Sequence, residues 1–73
     1  MMTEQEFLTK MKEDILDTEE EIAMQTQLGN IEEWDSLAFV SFLAMAKLAT
    51  GKKMERSSIQ SAQTVQDLYA LLS

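Results

Sequence analysis

The chain contains no cysteine and no histidine. Without cysteine it can form neither a disulfide staple nor a thiolate metal site. Without histidine it lacks the usual general base and the commonest metal ligand. Proline is also absent and glycine occurs only twice, so little interrupts helix formation along its length. Bases are scarce: 6 stand against 13 acids, a net charge of −7. Such a balance is repelled by phosphate backbones and anionic lipid, which argues against nucleic acid and membrane surfaces and favours basic protein partners. Long apolar runs are missing as well. The longest, residues 37–49, already contains Lys47 and falls short of the roughly 20 residues a membrane span needs. The opening Met1-Met2-Thr3-Glu4 lacks the basic-then-apolar order of a secretion signal, so the expected location is cytoplasmic.

What remains is 73 residues, 45% of them hydrophobic, enough for one domain spanning 1–73. A core of this size rarely nets more than about 3–5 kcal/mol, and it has little room for a catalytic pocket. No nucleophile–base pair can be nominated, so neither catalytic residues nor enzymatic activity are expected.

The pattern predicts an all-α fold: a small bundle of three main helices plus a short one, with a long loop between the first two. Thr3 and Glu6 form a T-x-x-E capping box. Phe7, Leu8, Met11 and Ile15 then share one helical face, and the helix is expected to end near Asp17-Thr18 with a Glu6–Lys10 ion pair on its surface. Residues 18–35 form the acidic connection, anchored by Ile22, Leu28 and Ile31 and turned at Gly29-Asn30. The run Glu19-Glu20-Glu21 within it reads as solvated chain, because a calcium loop would alternate Asp/Asn ligands around a glycine; no metal site is expected. Asp35 caps a helix from Ser36 to about Thr50, closed by Gly51. A single turn is expected around Ser58–Ala62. Thr64 then caps a last helix carrying Val65, Leu68, Tyr69 and Leu72 on one face, with Asp67 in its first turn.

The charge divides at Asp35-Ser36. Residues 1–35 hold eleven acids and two lysines, net −9, whereas 36–73 hold two acids and four bases, net +2. The helix that follows the divide has two apolar faces. The larger and more aromatic one, Phe39, Val40, Phe42, Leu43, Ala46 and Thr50, is expected to pack inward. The opposite face, Leu37, Ala38, Ser41, Ala44, Met45 and Leu48, is expected to point outward, and an apolar outer face on so small a protein suggests a partner.

Asp35-Ser36-Leu37, at the start of this helix and directly after a long acidic loop, resembles the motif of the acyl carrier protein family. The resemblance extends over nearly the whole chain, to its length, acidity and helix order and to the closing Thr64-Val65-Gln66-Asp67-Leu68-Tyr69. It implies that Ser36 is esterified with 4′-phosphopantetheine derived from coenzyme A, with Asp35 and Leu37 beside the attachment point. The thiol of that arm would hold an acyl or aminoacyl group as a thioester. Partners implied are a phosphopantetheinyl transferase, an acyl- or aminoacyl-loading enzyme and a downstream transferase, acting on a monomeric carrier. A phosphodiester on Ser36 would also sit well electrostatically, because a helix N-terminus favours an anion.

Two features depart from the common pattern. Typical fatty-acid carriers stud this helix with acids, but residues 36–50 contain none and one base, Lys47. Docking is therefore expected through Leu37, Ser41, Met45 and Leu48, flanked by Glu32 and Glu33, with enzymes of a specialised pathway rather than bulk fatty-acid synthesis. Trp34, immediately before the motif, is expected to fold back on the bundle; Trp-Asp-Ser-Leu looks like discrete carriers of such pathways. Peptidyl carriers usually show Gly-Gly where this chain has Glu33-Trp34. The alternative is a small acidic helical adaptor or inhibitor that uses the same apolar face and needs no prosthetic group.

Overall fold

A computed structural model of the protein describes residues 2–72. Four α-helices follow one another: α1 (Glu4–Lys10), α2 (Ser36–Thr50), α3 (Arg56–Gln60) and α4 (Val65–Ala70). There is no extended strand among the described residues, only one isolated antiparallel bridge between Gln27 and Thr64.

The expected capping box starts α1: the Glu6 N–H donates to the Thr3 hydroxyl and the Thr3 N–H donates to the Glu6 carboxylate. The Glu6 carboxyl is held below its usual range, first by the backbone N–H of Thr3 and second by the Thr3 hydroxyl. The two bonds of the box also overturn the expected Glu6–Lys10 pair. Glu6 is turned back to the helix start, and Lys10 pairs instead with Asp14 at 3.6 Å. Beyond Lys10 the helix widens into a π-helical turn, Met11–Ile15, in which the Leu16 N–H reaches the Met11 carbonyl five residues back. The wider turn lets Met11, Ile15 and Leu16 all reach the interior. Asp17 then stops the helix in a left-handed conformation, φ +50°, a conformation that Asp tolerates better than most side chains.

The 18–35 connection is tethered more firmly than an acidic loop suggests. Leu28 and Ile31 are buried, and Ile22 and Met24 pack on the core. The Val65 and Gln66 N–H groups, free donors at the start of α4, bond to the carbonyls of Thr26 and Met24, and the Leu28 N–H bonds to the Gln63 carbonyl. Lys12 adds a 2.9 Å ion pair to Glu21. Glu19, Glu20 and Glu21 are exposed, and no group of three or more acids among the described residues is arranged to hold a metal ion. Thr64 caps the last helix as expected, and Asp67, expected only as a favourable first-turn acid, completes a full capping box with it.

The core is one cluster. Phe7, Met11, Phe42, Ile59, Val65 and Leu68 are its largest fully buried members. Phe7 meets Phe42 edge-on at 6.2 Å and Tyr69 at 5.2 Å, and the Tyr69 hydroxyl donates to the Met2 carbonyl. Against this centre α2 presents Ala38, Phe42 and Ala46, spaced i, i+4, i+8. Two alanines flanking one phenylalanine let α2 lie close to the turn that follows α1, since helix separation is set by the side chains at the contact. The larger Phe39 and Leu43 are left at the margins, only partly buried.

This seam corrects the expected faces of α2 by roughly 70° of rotation, counting 100° per residue. Val40, assigned inward, is exposed at 48%; Ala38, assigned outward, is buried. Met45 is half-buried against the core and Ser41 half-buried beside it. The short helix also starts earlier than expected, at Arg56 rather than Ser58.

Candidate functional site

The N-terminus of α2 is built by three adjacent residues. Asp35, in extended conformation, caps the helix by accepting the Ala38 N–H at 3.0 Å. Its carboxylate is thereby turned along the helix, and Ser36, the first helical residue, is exposed. No side-chain hydrogen bond of the described residues engages the Ser36 hydroxyl. Trp34 folds back as expected. Its ring lies 6.3 Å from both Phe39 and Phe42, which fixes the chain direction into the motif.

Ser36 opens on a surface groove of about 440 Å³ between the start of α2 and α3. Trp34 and Phe39 form its aromatic walls; Arg56 and Gln60 line it from α3, and Asp35 and Val40 complete it. Arg56 lies over the Phe39 ring, 5.7 Å from its centroid. Sequence reasoning missed Arg56, Gln60 and Val40. The signal that could have found Arg56 is simple: it is the chain's sole arginine, twenty residues after the motif serine.

On the other side of the cap, Glu33, Asp35 and Leu37 border a smaller groove with Asp17. Glu32 is exposed and Glu33 half-buried, so the two acids stand beside the motif without covering it. Along α2 the exposed apolar residues are Leu37 (75%), Val40 (48%) and Leu48 (87%), joined by Ala44 at i, i+3, i+7, i+11. Of the four helix residues expected to dock a partner, Leu37 and Leu48 lie on this strip; Met45 and Ser41 do not.

Chemically the site offers one unengaged primary hydroxyl, a helix N-terminus, an aromatic wall and one arginine. The acid beside Ser36 in this groove is Asp35, whose carboxylate accepts the Ala38 N–H. Comparison of the chain with family models, with curated protein sequences and with solved structures returned no match in any of the three.

Proposed function

We propose that this protein is a carrier whose Ser36 takes 4′-phosphopantetheine. The observation that carries the reading is the placement of Ser36: the first residue of a 15-residue helix, exposed, its hydroxyl unengaged, and capped by Asp35. In the loading reaction the Ser36 oxygen would attack the β-phosphorus of coenzyme A. The phosphodiester forms at Ser36, adenosine 3′,5′-bisphosphate leaves, and the hydroxyl proton goes to a base of the transferase. The residues present fit the group: the N-terminal N–H groups of α2 and Arg56 suit its phosphate, and Trp34 and Phe39 suit its apolar segment. The thiol of the attached arm supplies the thioester chemistry that the cysteine-free chain lacks. The protein itself supplies recognition and a high effective concentration of cargo.

The partners in this reading are a phosphopantetheinyl transferase, an acyl- or aminoacyl-loading enzyme and a downstream transferase of a specialised pathway. They would dock on the strip Leu37, Val40, Ala44 and Leu48, which begins one residue from Ser36. The test is incubation with coenzyme A and a broad-specificity phosphopantetheinyl transferase, followed by intact-mass measurement. A gain of one arm on the wild type and none on Ser36→Ala is expected; no gain with any transferase refutes the carrier. The exposed strip equally favours an adaptor that binds its partner without modification, and in that case Ser36→Ala leaves every function intact.

A further inference from the structure

We propose that Arg56 seats the phosphodiester joining the arm to Ser36, and so holds the root of the arm in the Trp34–Phe39 groove; this rests on the carrier reading above. Position comes first. The groove starts at Ser36, so whatever is bonded to the Ser36 oxygen enters it phosphate first, and cargo at the far end of the arm does not.

Charge comes second. The chain has 13 acids, yet among the described residues the ion pairs are made by Lys10 and Lys12, and no carboxylate lies within 4.0 Å of Arg56. Asp35 is the one acid lining the groove, and its carboxylate already accepts the Ala38 N–H. The Arg56 guanidinium lies over the Phe39 ring, 5.7 Å from its centroid, and lines the groove. A guanidinium with no carboxylate partner keeps its N–H donors for an anion, and it recognises phosphate in a two-pronged way.

Shape comes third. Behind the phosphate, the aromatic walls suit the arm's branched dimethyl carbon, and the Gln60 amide suits its first amide. Arg56 thus acts as a positioning residue: it biases the arm toward the α2–α3 side of the protein, along the edge of the apolar strip, where Val40 belongs to both.

Trp34, the sole tryptophan, is a reporter built into the wall. Apo and loaded forms of the wild type, Arg56→Gln and Arg56→Lys are compared by Trp34 emission and by phosphorus-31 NMR of the phosphodiester, with loading verified by mass. Loading should change Trp34 emission in the wild type. Arg56→Gln, taken to complete loading, should show a change smaller by roughly threefold, with a shifted phosphorus resonance. Arg56→Lys should fall between, and added salt should bring the three proteins together. A wild type that loads with no change in emission, or Arg56→Gln with the wild-type emission change and phosphorus shift, overturns the proposal and leaves the carrier reading standing. An Arg56-dependent change that appears only when the arm carries a succinyl group, and not an acetyl group, assigns Arg56 to a cargo carboxylate and also overturns it. A wild type that gains no mass overturns both.

Discussion

Leu48→Gln separates the outer strip of α2 from the fold it rests on. Leu48 is 87% exposed, so folding draws almost nothing from it. Changing it should move stability by no more than about 0.5 kcal/mol. Full burial of a leucine is worth about 1.5–3 kcal/mol, and at this position nearly all of that is available to a docking partner. Leu48 lies about 18 Å along the helix from Ser36, so losing it leaves the attachment point untouched. Loading by a phosphopantetheinyl transferase should therefore lose about 10- to 100-fold in kcat/KM, with the loss in KM, while the melting curve stays in place. The comparison is Met45→Gln. Its side chain packs on the core, and the substitution should cost about 1–2 kcal/mol of stability with a smaller effect on docking. If Leu48→Gln loads within twofold of the wild type, the strip does not reach a partner at that end. If Met45→Gln and Leu48→Gln melt alike, the orientation of α2 derived from Ala38, Phe42 and Ala46 is wrong.

Three further outcomes follow from the packing and the caps. Phe42 is fully buried between Phe7 and Trp34; Phe42→Ala should cost about 3–5 kcal/mol, comparable with the whole stability expected of so small a core, so circular dichroism should show no cooperative melt at 25 °C. Asp17 sits at φ +50°, and Asp17→Gly should raise stability by about 0.5 kcal/mol, because relief of the left-handed cost exceeds the added chain entropy; a lower Tm refutes this. The N–H groups of Gln63 and Thr64, with the Thr64 hydroxyl, hold the Asp67 carboxyl below its usual value of 3.8. A depressed folded value stabilises the native state above the unfolded pKa and is lost as pH falls through the folded one. Asp67→Ala should therefore lower Tm at pH 7, and the gap from wild type should narrow below about pH 4; a gap constant with pH refutes it.

Four helix ends were legible because their causes are local, whereas the start of α3, which has no side-chain cap, was not. Thr3 with Glu6, Asp35, Gly51 and Thr64 each act within one turn, and each caps a helix where its residue type predicts. The placement of Ser36 was legible for the same reason. The orientation of α2 was not, because both of its faces are apolar and residue size pointed the wrong way. What decides it is how closely α2 can approach Met11 and Ile15, and those residues face it only through a π-helical turn that no local pattern announces. The groove was equally hidden. Arg56 comes to Ser36 by tertiary packing alone, and the tether from Met24 and Thr26 to α4 is a backbone contact with no side-chain signature.

Under the carrier reading proposed above, the same packing limits what the protein can do with a cargo. Phe42, Ile59, Val65 and Leu68 are buried at the centre of the bundle, and protein interiors are close-packed, with few voids larger than a water molecule. The grooves around Ser36 open to solvent instead. A cargo sheltered in the bundle would bury its methylenes at about 0.8 kcal/mol each. An octanoyl group has six more carbons than an acetyl group, so shelter would stabilise the octanoyl form by about 5 kcal/mol. At about 4–8 °C per kcal/mol for a chain of this length, that is a rise in Tm of at least about 20 °C. With the centre filled by Phe42, the acetyl and octanoyl forms should melt within about 2 °C of each other. A rise above about 10 °C on going from acetyl to octanoyl would mean that Phe42 swings aside to admit the chain, and the filled core would then be only the resting arrangement of a carrier that does shelter its cargo.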